Sequence, residues 1–338
     1  MSFETTPRQA GSRRRFTLQA AALACAASFA ALAPATAMAQ AWPAKPIRLI
    51  VNFPPGSSPD VVARAIGTPL SQALGQPVVI DNRAGASGLI GAEAVAKSAP
   101  DGYTLLVSAG SSFTMVPHMM PKMNFDPFKD FVPVAGIGRI DIFLVTRNDQ
   151  PYASFPEFVK YAKANPGKLS YSSAGNGTSP HIAGEMMKAM AGLHTVHIPY
   201  RGTTPALQDL LAGNVNYSFD SGASVTHIKS GKLRLLATAG KKRSSQFPET
   251  PTMDELGLKG FDAGTTHGLF APAGTPPEIV DRLNAEVNKI LATPQVAQQI
   301  RAIGAEPASG TPAEFRASMT ADSDRYGAVI KARAIRPD

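Results

Sequence analysis

Asn52-Phe53-Pro54-Pro55-Gly56-Ser57-Ser58-Pro59-Asp60 joins the apolar run Ile47–Phe53 to the helical pattern that opens with Val61 and Val62. A short polar turn between a strand and a helix has a geometry that can hold an anion. Ser58 is expected as the helix cap and Pro59 as the first helical residue, where a missing N–H is harmless. Gly56 lets backbone approach a ligand, and Ser57 adds a hydroxyl. The helix end beyond them carries unpaired N–H groups and about half a positive charge, which favours a carboxylate or phosphate.

Working outward, the same design recurs. Ser172-Ser173-Ala174-Gly175-Asn176-Gly177-Thr178-Ser179-Pro180-His181 is again a glycine-bearing polar loop after a short strand, with Ser179 expected as cap. Tyr200-Arg201-Gly202-Thr203-Thr204-Pro205 adds a fixed positive charge suited to a carboxylate. Ser/Thr-Pro also stands at Thr250-Pro251, Thr275-Pro276 and Thr311-Pro312, so the dipeptide alone is ordinary helix-start punctuation here. Position at a strand end is the telling feature, because open α/β sheets bind ligands at the C-terminal ends of their strands.

Strands are expected at 47–53, 77–82, 103–108, 142–146, 169–172, 195–198, 215–220, 233–238 and 268–271. Helices lie between many of them, including 59–74 with a kink at Pro69, 155–163, 180–190 and 205–211. Three more helices, 276–291, 294–303 and 312–331, end the chain. Such alternation implies parallel sheets with helices on their faces. Two halves share a strand, polar turn and Ser-Pro helix, so the expected architecture is two α/β lobes around a cleft. The first crossover is expected after Thr146.

The 338 residues suffice for two domains, and 44% apolar with 17% charged residues suits a folded chain. Residues 1–39 read as a cleaved export signal: Arg13-Arg14-Arg15, an Ala-rich apolar run, then Ala37-Met38-Ala39. Ser12–Phe16 approximates a twin-arginine pattern, so either the general secretory or the twin-arginine route fits. Cleavage removes four Arg and one Glu, taking the net charge from +8 to +5. It also removes Cys25, the single cysteine, leaving no disulfide and no thiolate nucleophile. Beyond the expected cleavage point Lys241-Lys242-Arg243 is the one basic triplet and has no interleaved aromatics, which argues against nucleic acid as a partner.

Enzyme signatures are sparse. Neither a G-x-S-x-G elbow nor a P-loop occurs, and Gly85-Ala86-Ser87-Gly88-Leu89-Ile90-Gly91 has the wrong spacing for a dinucleotide loop. It reads as close helix packing. The histidines form no metal motif, so neither a metal nor a cofactor is expected. His181 and Glu185, four apart on one helix, suit a structural pair; the rival reading is a secreted hydrolase using them or a loop serine such as Ser172.

At these same loops the chain resembles the tripartite tricarboxylate transporter receptor family, the Bug family of extracytoplasmic solute receptors. The match runs through Trp42–Ile47, Phe53–Gly56 with Asp60, Leu74–Val79, Asn82–Gly85, Pro100–Leu106, Ala174–Ser179, Pro199–Gly202, Phe219-Asp220 and Ala271–Pro276, covering essentially the whole mature chain. The resemblance implies a periplasmic binding protein of the Venus flytrap type, with two doubly wound sheets. It would be a monomer that encloses a small carboxylate between its lobes without catalysis. The ligand would pass to a membrane transporter of the tripartite type or be reported to a sensor kinase. Lobe I would comprise residues 40–146 and 268–338, and lobe II residues 147–267.

The ligand contacts implied are Phe53, Pro54, Gly56, Ser57, Ser58 and Asp60 on the first loop. Ser172, Ala174, Gly175, Gly177, Thr178, Ser179 and His181 would act from the second, and Tyr200 and Arg201 from the third. Ser108 and Ser111 would form a side wall. Asp220 could pair with an amino group, hold a water or serve as a hinge acid. Two departures stand out. Ser57-Ser58-Pro59 replaces the usual glycine-rich run, and Thr266-His267 replaces an aromatic pair before Gly268-Leu269-Phe270. The second makes that wall more polar, with His267 donating to an anion or supporting a residue that does.

Overall fold

The computed structural model describes residues 1–4, 42–120, 122–332 and 334–335, so the expected signal at 1–39 lies almost wholly outside the described residues. The chain divides into a short unit, Met1–Trp42, and a large one, Pro43–Asp338, which carries both sheets and the site. No helix among the described residues is long and apolar enough to cross a membrane.

The first sheet begins with parallel strands β1 (Ile47–Val51), β2 (Val78–Asn82) and β3 (Thr104–Ser108). It is completed by β4 (Phe131–Ile140), β10 (Thr265–Pro272) and β11 (Ala305–Pro307), in the order β11-β4-β10-β3-β1-β2. The second contains β5 (Phe143–Arg147), β6 (Ser170–Ser173), β7 (Val196–Pro199), β8 (Tyr217–Asp220) and β9 (Leu233–Thr238), in the order β7-β6-β8-β5-β9. Both sheets are mixed, not parallel throughout. β10 runs antiparallel to β3 and β4, and β5 antiparallel to β8 and β9. These reversed strands are where the chain passes from one sheet to the other.

The passage falls earlier than the sequence suggested. β5 pairs in the second sheet, so the chain crosses at Asp141-Ile142, before the expected turn at Thr146. β4, ten residues long, had no counterpart in the sequence reading because Pro133, Gly136 and Gly138 interrupt its pattern. Only Gly138–Ile140 of β4 pair with the short β11. Near Pro133 that side of the strand resembles a sheet edge, where a missing donor does no harm.

Helices α1 (Ser58–Leu74), α2 (Leu89–Ala96), α3 (Ser111–Thr114) and, after the second crossover, α8 (Pro277–Leu291), α9 (Pro294–Ala302) and α10 (Pro312–Ala332) pack on the first sheet. α5 (Ser179–Ala191), α6 (Thr203–Ala212) and α7 (Val225–Lys229) pack on the second. α4 (Phe155–Ala164) joins them through Phe158 against Tyr217 at 5.0 Å. α1 continues as one helix through Pro69.

Two aromatic clusters set the strand ends that matter. Phe113 stacks on Phe270 at 4.4 Å and meets Phe131 edge-on at 5.0 Å, all three buried. Such pairs add about 0.5–1.5 kcal/mol beyond burial. Because Phe113 anchors α3, Ser111 two residues earlier is held at the end of β3. In the second lobe Tyr171 stacks on Tyr217 at 5.3 Å and on His197 at 4.7 Å, and His197 on His181 at 4.3 Å.

Candidate functional site

The first loop departs from expectation by one residue. Ser57, extended at φ −73 and ψ 160, is the cap of α1, and Ser58 is already helical. Thr178, at φ −75 and ψ 160, likewise caps α5 in place of Ser179. Neither cap residue hydrogen-bonds the helix with its side chain. Ser57 Oγ donates to the Pro54 carbonyl at 2.6 Å, and Thr178 Oγ1 to the Gly175 carbonyl at 2.6 Å, so both hydroxyls tighten their own loops. The shift relieves Ser58 and Ser179 of any capping duty. Ser58 Oγ lies 3.4 Å from Ser221 Oγ and Ser179 Oγ lies 3.1 Å from Thr265 Oγ1, each pair joining one sheet's lobe to the other's.

Between the lobes these hydroxyls surround a cavity of about 20 Å³. Its lining includes Phe53, Ser57, Ser58, Ser111, Ala174, Thr178, Ser179 and His267 from the expected contacts. It also includes Thr203, Ser221, Thr265, Ile140 and Ile142, which sequence reasoning missed. Thr203 stood in the third loop and Ser221 beside Asp220, but nothing in the chain marked either as inward. The two isoleucines flank the crossover that the unrecognised β4 concealed. Among the described residues lining the cavity, His267 is the only titratable one.

Burial pushes His267 down to about 3, so the ring is neutral throughout the physiological range. Its Nδ1 accepts from the Gly110 N–H at 3.4 Å, which leaves the proton on Nε2, 2.9 Å from Ser58 Oγ. His267 therefore donates to Ser58 and directs that serine's own proton toward the cavity or Ser221.

A second space of about 760 Å³ adjoins the first along Phe53 and Ala174. Pro54, Gly175, Tyr200 and Arg201 line this outer groove and not the inner cavity. Ser87, at φ +55, donates its hydroxyl across the groove to the Asn176 carbonyl, and Ala86 beside it has φ +47. Left-handed backbone at two successive non-glycine residues is unusual and marks a strained contact between lobes. Asn52, buried behind it, donates to the Gly88 carbonyl at 3.0 Å and to Ser108 Oγ at 2.9 Å.

The remaining expected contacts line neither space. Asp60 is buried beneath its loop, accepting from the Gly56 N–H at 2.9 Å, Arg64 at 2.9 Å and Asn82 at 2.9 Å. Burial raises its pKa, but Arg64, the Gly56 N–H and Asn82 together bring it below the usual carboxylate range. Gly56 is thus held by Asp60, and Ser108 by Asn52. Ser172 Oγ donates to Ser218 Oγ at 2.9 Å, within the second sheet. His181 accepts the Gly177 N–H at 3.0 Å, while Glu185 accepts from Tyr171 at 2.8 Å and Lys188 at 2.7 Å. Asp220 is fully buried and its pKa is raised by desolvation, against hydrogen bonds from Ser224, Gly222 and Ser221. Its Oδ2 receives the Gly222 and Ser224 N–H groups at 2.9 and 2.7 Å, so it shapes the turn that presents Ser221. Among the described residues no cluster of three or more His, Cys, Asp or Glu could hold a metal.

Residues 62–335 match the family described as tripartite tricarboxylate transporter family receptor. The chain belongs to this family. This receptor is 39% identical over 295 residues to protein BugT of Bordetella pertussis, covering 87% of the chain and 90% of BugT. A solved R. palustris protein with adipate is 34% identical, with a TM-score of 0.84 over 88% of this chain and all of that one. MatC from Rhodopseudomonas palustris, solved with malate, is 32% identical, with a TM-score of 0.81 over 86% of this chain and all of MatC. The two-lobed receptor fold thus accounts for the paired loops facing one cavity.

Proposed function

We propose that the protein is a periplasmic receptor that binds a small carboxylate between two lobes. The carrying observation is that α1, α5 and α6 open at the loops around one cavity, with hydroxyls from both lobes and, among the described residues, no acidic side chain lining it. Each such helix end offers N–H groups and a positive dipole end to an anion. The lobes are residues 43–140 with 265–335, and residues 143–238, joined by crossovers at 141–142 and 239–264. The small inner cavity matches the carboxyl group of an acid; the rest of the molecule extends toward the outer groove. Relatives solved with adipate and malate support this ligand class. The export signal supports the periplasmic site, and the family description supports delivery to a tripartite-type transporter. A sensor kinase is the other recipient.

A thermal-shift panel of mono-, di- and tricarboxylates, aromatic acids and acidic amino acids tests the reading. An acid at about 100 times its Kd adds about 2.7 kcal/mol of stability. The bound acid should be recovered chemically unchanged. If no member of the panel raises the melting temperature, or if the best one is converted, the receptor reading fails.

Among single hydroxyls, Ser58→Ala and Ser179→Ala should each weaken the best acid about tenfold to a hundredfold, in line with a lost hydrogen bond to a charged group. Ser309→Ala, in an exposed loop, should leave it unchanged. Calorimetric titration reads the difference, and equal effects at all three positions would remove the cavity from consideration.

A further inference from the structure

Arg201 is exposed at the outer groove and has no hydrogen-bonding or ionic partner among the described residues. It differs in this from every other described arginine. Those are held by a carboxylate, a backbone carbonyl or another partner, as Arg64 is by Asp60 and Arg316 by the Phe131 carbonyl. Among the described residues Arg201 is also the only charged side chain lining the groove, whose other walls include Ile90, Met120 and Pro199. An uncompensated charge among weakly polar walls focuses its field toward the opening. The guanidinium does not line the inner cavity, where hydroxyls take the place of a cation.

We infer that Arg201 is the entry contact for an anionic ligand, drawing a carboxylate into the outer groove before the lobes close over it. The inference rests on the carboxylate-receptor reading and adds a division of labour to it. Arg201 governs arrival, and the inner hydroxyls and helix ends govern retention. A single charge some 6 Å from the incoming anion changes the encounter by about threefold in water, and salt screens the effect.

The test is rapid-mixing kinetics with the tightest acid of the panel, on the wild type, Arg201→Gln and Arg201→Lys. Arg201→Gln should associate about threefold more slowly at low ionic strength and match the wild type above about 0.5 M salt, with dissociation unchanged. Arg201→Lys should stay near the wild-type association rate, since the charge is kept. A change confined to dissociation would overturn the inference, because Arg201 would then hold the bound acid. So would Arg201→Lys behaving like Arg201→Gln. If the wild type binds no acid in the panel, the receptor reading itself falls, an outcome distinct from either of these.

Discussion

Asp141→Asn should make the protein more stable than the wild type at pH 8, by up to about 3 kcal/mol, with the advantage fading as the pH falls toward 4. Asp141 sits at the first crossover, its N–H donating to the Gly304 carbonyl at 3.0 Å. Burial pushes its carboxyl up to about 6 from an ordinary 3.8. The Ser244 hydroxyl and Arg139 oppose the rise, while Glu306 and Asp262 add to it. Between those two values the folded chain keeps a proton that the unfolded chain has lost. This carboxyl's contribution to stability is therefore most favourable below about 4, declines through the window and stays depressed above about 6. A window about two pH units wide, at about 1.4 kcal/mol per unit, gives the figure stated. Denaturant unfolding of both proteins at several pH values isolates this carboxyl, because every other group is common to the pair. Parallel curves would show that Asp141 is solvated as an ion in the fold.

Gly177→Ala should weaken carboxylate binding about tenfold to a hundredfold while leaving a folded protein. Gly177 lies in the second loop at φ +76, and an added Cβ would stand 2.9 Å from Val116 Cγ2 on the other lobe. The left-handed backbone strains alanine whether the lobes are open or closed, so it lowers stability by about 1 kcal/mol and cancels from the affinity. The clash exists only where the lobes meet, and overpacking of this kind costs about 1–3 kcal/mol. The double variant Gly177→Ala/Val116→Ala should recover most of the affinity by removing the opposing methyl groups. Without that recovery the defect would belong to the loop itself, and the close approach would have no role in binding.

Much of this molecule was legible from local chemistry. The alternation of β-branched runs with Pro-initiated helices announced two α/β lobes, since that pattern buries apolar faces only as helices on sheets. The loops at Phe53–Asp60 and Ser172–His181 were visible because glycine and hydroxyl residues follow strands there. Their caps were misplaced by one position. Two adjacent residues, Ser57 and Ser58 or Thr178 and Ser179, are equally able to cap, and the choice depends on which carbonyl the loop offers its hydroxyl. β4 was invisible because its glycines serve close packing: an added Cβ at Gly136 would meet the Ala308 carbonyl at 2.8 Å.

The sequence by itself determined the fold class, the family and the loops that border the cavity, because these depend on periodicity, turn chemistry and order along the chain. Tertiary structure alone decided which residues of those loops face inward. Asp60 and Gly56 bind each other beneath the first loop, His267 gives its proton to Ser58, and Arg201 stands outside the cavity. It also supplied Ser221 and Thr265 to the far wall, through contacts between residues more than eighty positions apart. A side chain's direction at a strand end is set by what packs behind it, as Phe113 in the core sets Ser111, and that partner is a distant part of the chain.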